Sequence, residues 1–275
     1  MTKKKFSHEV LERLFIAVEE DDIVDEHATL PKIIDLQCSQ EIIRNNYALC
    51  LQFWEDGFNR KDLLNLIIKQ LKNGELSKKE QMQFKYIRAR YKHLRFAQQL
   101  YRKKHQTGFL FSKITVFLGR FQDGFRNKQK NSVDFYGNVL RKYHLNIPVW
   151  MFVHYSLCHS QLDTAEGFIH YCREQMQTLK LLIANPQLTG KEFHDVRKII
   201  SQQVSYYDTL RAIYPDNQDA AQISRFLAAI NGLMGNKHDE MVAADMANLK
   251  SYDTPAFLDD TIRSRLDLLV TRYLV

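Results

Sequence analysis

The sequence predicts an all-α fold, and three observations carry that prediction. Apolar residues recur at helical spacing along nearly the whole chain, no segment alternates strictly between apolar and polar, and ten Gly and five Pro in 275 residues leave little material for turn-rich β architecture. Hydrophobic residues at 45% and charged residues at 26% are ordinary globular proportions. The length suffices for one large helical domain or two small ones.

Taken in order, the periodicity places helices near 7–21, 40–57, 60–73, 78–104, 108–126, 132–143, 148–158, 163–184, 190–212, 217–234, 237–249 and 255–273. Ser77 and Thr164 have N-cap chemistry, Pro148 and Pro255 suit a first helical turn, and NPQLTG, YPDN and MGN read as connections. No Ser/Gly/Pro-rich linker divides the chain. The expected organisation is therefore an N-terminal helical extension, residues 1–59, packed on one helical domain, residues 60–275.

The charge is unevenly placed. The segment from Lys78 to Lys130 holds fifteen Lys or Arg against Glu80 and Asp123, a net +13, whereas the rest of the chain is −6. Within it, KYIRARYKHLR, residues 85–95, has five Lys or Arg, one His and no acid. At ~100° per residue, Lys85, Arg88, Lys92, Arg95 and Arg102 share one arc of a helix, and Ile87, Leu94, Ala97 and Tyr101 share another. A core face and a separate cationic face follow. A solvated charged surface is the plain alternative, but the missing acids and the concentrated potential favour a polyanionic partner. The acidic run EEDDIVDEH, residues 19–27, reads as a solvated helix end and loop, or more sharply as an internal mimic that shields the basic face.

Cys38, Cys50, Cys158 and Cys172 form no CxxC pair, which points to reduced structural thiols. The basic N-terminus lacks the apolar stretch of a signal peptide and no run of ~18 apolar residues occurs. A cytoplasmic protein without a membrane segment is expected. His154, Cys158, His159 and His170 lack the spacing and carboxylate of an HExxH site, so no metal is expected there. There is no P-loop, GxSxG, kinase signature or paired-carboxylate motif, and a non-catalytic protein without a cofactor is expected.

The chain also repeats itself. KYIRARYKHLRFAQQLY followed by FLFSKITVFLGRFQD has a counterpart in HDVRKIISQQVSYYDTL followed by SRFLAAINGLMGNKHD. Each block pairs a basic or His residue and an Arg three positions on (Lys85 and Arg88; His194 and Arg197) with a second helix carrying Gly-x-x-x-Asp (Gly119 and Asp123; Gly235 and Asp239). Arg-to-Gly separations are 31 and 38 residues.

This arrangement resembles the CHAD family, the conserved histidine α-helical domain, over about residues 60 to 250. The resemblance implies a helical bundle of two pseudo-symmetric four-helix repeats, here about 60–145 and 163–250 with a C-terminal helix at 255–273, that binds inorganic polyphosphate on a basic surface. It implies contacts from Lys85, Arg88, Lys92, Arg95, Arg102, Lys113, Arg120, His194 and Arg197, with Asp123, Asp239, Gly119 and Gly235 in structural or orienting roles. It also implies a cytoplasmic location associated with polyphosphate granules. Lys85 stands where the family has His and Gln122 where it has a basic residue. In the second copy Ser201 and Val204 replace two basic positions, which thins the expected cationic surface. The competing readings are a protein-interaction scaffold with a decayed anion site, and a nucleic-acid backbone binder. Against the last stands the scarcity of aromatics in the basic row beyond Tyr86 and Tyr91.

Overall fold

The computed structural model describes residues 5–273 and is all-helical: 74% of the chain lies in helices, eleven of them α. In chain order they are α1 (His8–Glu20), α2 (Gln40–Asp56), α3 (Arg60–Asn73), α4 (Lys78–Tyr101), α5 (Phe109–Arg126), α6 (Lys130–Val139), α7 (Ile147–Cys158), α8 (Ala165–Ala184), α9 (Gly190–Ile213), α10 (Gln218–Met246) and α11 (Asp260–Arg272). A π-turn at Leu140–His144 follows α6. The only sheet among the described residues pairs β1 (Gln187–Leu188) with β2 (Ala256–Phe257), antiparallel.

The chain divides into two compact units. Unit 1 comprises residues 5–6 with 47–163, and unit 2 comprises residues 7–46 with 164–273. The stretch 1–59 is thus shared out: α1 belongs to unit 2, and α2 starts in unit 2 and ends in unit 1.

Unit 1 is built around Trp54. This side chain is 1% exposed, stacks on Trp150 at 5.2 Å between ring centroids and meets Tyr91 and Phe111 edge-on at 5.6 and 5.9 Å. Each such buried aromatic contributes ~2–3 kcal/mol of burial, with a further ~1 kcal/mol from ring geometry. Helix α4 starts in a capping box: Ser77 Oγ accepts from the Glu80 amide and a Glu80 carboxylate oxygen accepts from the Ser77 amide. Lys69 reaches Glu80 at 2.7 Å, and together with Ser77 it holds that carboxyl down near a pKa of about 2.

Unit 2 is built on α9, also 24 residues long and also opened by a capping box, from Thr189 and Glu192. α1, α8 and α10 pack against it, and every residue from Ile199 to Leu210 is buried. Arg13 of α1 donates to the Ala212 carbonyl, and Arg211 reaches Glu20 at 2.9 Å. The acidic run 19–27 docks here: Asn231 donates to the Asp21 carbonyl and to Asp22, and Arg265 donates to the carbonyls of Asp25 and Glu26. It is the end of α1 and a loop, with no residue buried, as the plain reading expects, and these hydrogen bonds tie it to unit 2.

Three helix boundaries also differ from expectation. α10 runs unbroken through Met234–Asn236, because Gly235 serves a side-chain contact and not a turn. α4 ends at Tyr101, where Arg102 turns to extended backbone (φ −81°, ψ 144°). Pro255 does not open a helix, since residues 256–257 extend to pair with β1 and α11 starts only at Asp260.

Candidate functional site

Lys85, Arg88, Lys92 and Arg95 lie along one side of α4, as their spacing predicts, while Phe84, Ile87, Tyr91 and Leu94 fill the core beneath them. Lys85 is exposed and the other three are half-buried. The Lys92 ammonium sits 5.8 Å from the Phe96 ring centroid. Arg88 lies across α5 at Gly119: a Cβ built there would stand 3.1 Å from Nη2. Its Nη1 donates to Gln122 Oε1 at 3.2 Å. The amide of Gln122 therefore orients Arg88, a role expected of Asp123. Asp123 itself is exposed and makes no ion pair among the described residues.

Arg95 carries the sharpest electrostatic signal. Its Nε is buried and has no hydrogen-bond partner among the described residues. Burial pulls its guanidinium below the ordinary value. An anion at the accessible part of the guanidinium would supply the missing counter-charge.

The remaining unit 1 candidates stand apart from this row. Arg102 lies beyond the helix and donates to Gln98 Oε1 and to the Gln106 carbonyl. Lys113 and Arg120 sit roughly 100–180° around the α5 axis from Gly119 and Gln122. There Lys113 lies over Phe109 and Phe117, and Arg120 donates to the Tyr136 hydroxyl at 2.8 Å. Tyr91 is fully buried and stacked on Phe111, so it presents no surface to a base.

Unit 2 repeats the central contact. Arg197 lies across Gly235, with Nη2 3.1 Å from a Cβ built there. The His194 and His238 rings are 6.3 Å apart, His238 Nδ1 is 3.5 Å from Asp239, and Tyr252 meets the His238 ring edge-on at 5.8 Å. Desolvation, then Lys198 and His238, push the His194 pKa down. Tyr252 lies beyond the motif, and nothing in the sequence flagged it. Ser201 and Val204, at the thinned positions, are both buried, and Ser201 is hydrogen-bonded to Asn231 at 2.8 Å.

The chain matches no family model, no curated protein and no solved structure. Among the described residues no helix is long and apolar enough to cross a membrane.

Proposed function

We propose that unit 1 binds an extended polyanion along α4, with inorganic polyphosphate as the simplest ligand that fits, in the manner of a CHAD domain. The observation that carries this reading is the row itself: Lys85, Arg88, Lys92 and Arg95 along one side of α4, with Arg95 a half-buried guanidinium that makes no ion pair among the described residues. Glu80, one of only two acids in the basic segment, is engaged by Lys69 and Ser77 at the far end of the helix. Arg can fork onto two phosphate oxygens while Lys contributes a mobile point charge, so a mixed row follows a flexible chain without fixing one register. Counterion release makes such binding strongly salt-dependent.

A scaffold reading has its own observation, since Ile147, Met151, Phe152 and Tyr155 of α7 are all more than half exposed. It would make α7, not α4, the functional face.

The test is a titration of labelled long-chain polyphosphate into the full chain at two salt concentrations. Arg88 is a poor first target because it also packs on Gly119. Lys85→Glu with Lys92→Glu is cleaner, and at ~1 kcal/mol per exposed charge reversal the pair should cost at least about tenfold in affinity. Equal binding by the variant, or none by wild type at low salt, would hand the function to α7. Competition with RNA and DNA at fixed salt tells polyphosphate from a nucleic-acid backbone.

A further inference from the structure

We propose that Glu55, His154 and Cys158 form a site for a borderline-soft divalent cation, with Zn²⁺ the ion whose chemistry fits the donor set. Sequence spacing supplied no carboxylate near His154 and Cys158. The fold brings one from the end of α2, one residue after the core anchor Trp54. His154 and Cys158 are one helical turn apart on α7 and share a face.

His154 Nε2 is 2.7 Å from Glu55 Oε1, and Cys158 Sγ is 3.6 Å from the same oxygen, 3.9 Å from Nε2 and 3.7 Å from Nδ1. A tetrahedral Zn²⁺ with bonds of ~2.0–2.3 Å needs donor separations of about 3.3 Å between nitrogen and oxygen and about 3.6 Å from sulfur to either. The sulfur edges already agree to within a few tenths of an ångström. The nitrogen–oxygen edge must open by about 0.6 Å, a small side-chain rotation once the shared proton gives way to a metal. A His–Glu hydrogen bond accounts for the short edge alone. The i, i+4 spacing on α7 brings the thiol to the imidazole, and its approach to the same carboxylate oxygen closes the third edge.

The donor chemistry narrows the ion. A thiolate, an imidazole and a carboxylate suit Zn²⁺, whereas Mg²⁺ and Ca²⁺ take oxygen ligands. All three residues are half-buried, with the Glu55 side chain 18% and His154 44% exposed, so the donors are held while one side stays open to water. Three protein ligands leave a fourth position for solvent or another donor, which is an open site and not a closed structural one. The Trp54 ring, 6.4 Å from that of His154, walls it on the core side. Binding must displace the thiol proton, so affinity should rise with pH.

The experiment is site-resolved alkylation of the full chain by iodoacetamide, with and without one equivalent of Zn²⁺, read by mass spectrometry. Cys38, a half-buried thiol in unit 2, is the internal control. Zinc should slow Cys158 alkylation at least tenfold and leave Cys38 unchanged. His154→Ala should abolish the protection. Glu55→Gln, which keeps the side chain's size and with it the fold, should weaken Zn²⁺ binding by no less than the ~10–100-fold that loss of an outer-sphere partner costs. Equal alkylation of wild type with and without zinc overturns the site, and so does protection that persists in both variants.

Discussion

Helices α4 and α9 are equal in length, open in the same kind of cap and lay an Arg across a Gly of the next helix, yet they present very different surfaces. α4 keeps Lys85, Lys92 and Arg95 at or near solvent. α9 is covered on all sides over its second half by α1, α8 and α10, so Ser201 and Val204 occupy positions where a cation would be buried. The absence of cations at Ser201 and Val204 goes with the covering of α9. The same Arg-on-Gly contact accompanies a covered helix in one place and a charged surface in another, and burial separates the two.

The comparison breaks most severely if α9 tolerates the cations of α4. Val204 is 1% exposed, and the carboxylate one turn on, Asp208, is already engaged by Ser224 and Arg211. Val204→Arg should lower stability by ~3 kcal/mol or more in urea unfolding, because it forces a long charged side chain into a filled interior. Lys92→Val on α4 should cost well under 1 kcal/mol. Similar losses at both positions would mean that burial is not what distinguishes the helices.

Acid should act on the two units in opposite directions. His93, buried beneath the α4 row against Phe53, has its pKa pushed down to about 3 by desolvation, with Lys92 adding to the effect. The unfolded chain then binds the extra proton, so stability falls as pH drops below ~6.5, by on the order of 2 kcal/mol at pH 5. His93→Gln should remove that slope. In unit 2, burial raises the Asp208 carboxyl, although Asp21, Arg211 and Ser224 hold it down in part. Its stabilising contribution is present below the unfolded value of 3.8 and is lost as pH rises through the folded pKa. Asp208→Asn should therefore help at neutral pH and lose its advantage in acid. Urea midpoints of wild type and both variants at pH 7, 6 and 5 check the two signs.

The smallest expected effect is at the paired glycines. A Cβ at either one meets only the end of an Arg side chain, at 3.1 Å, and Ala is favoured over Gly in a helix by ~0.5–1 kcal/mol. Gly119→Ala and Gly235→Ala should each shift stability by less than ~1 kcal/mol. If α4 is the binding face, Gly119→Ala alone should also weaken polyphosphate binding, by displacing Arg88. Matching losses of binding at both glycines would put unit 2 on an equal footing.

What could be seen in the sequence was what is decided locally. Ser77 and Thr164 cap their helices as expected, with Thr164 Oγ1 accepting from the Gly167 amide, because a cap and its partner lie within one turn. The core and cationic faces of α4 follow from helical period alone. The misreadings share a different cause. Gly235 looked like a stop because the Arg197 that lies on it is 38 residues away in the sequence. Arg102 shares the arc by helical period, and Lys113 and Arg120 enter only with the family resemblance, but their neighbours Gln106, Phe109 and Tyr136 draw them elsewhere. Glu55 and Tyr252 gave no local sign, since each acquires its setting from helices distant in sequence.

Unit 2 is built from both ends of the chain, and this constrains how it can form during synthesis. α1 leaves the ribosome early, but α9, against which it packs through Arg13 and the Ala212 carbonyl, is completed about 190 residues later. At ~5–20 residues per second, α1 waits on the order of 10–40 s without its partner. Over the same interval residues 47–163 emerge in one uninterrupted stretch and can close around Trp54. The unit that carries the cationic row can thus mature first, while the other leaves an amphipathic helix without its packing surface until α9 has emerged.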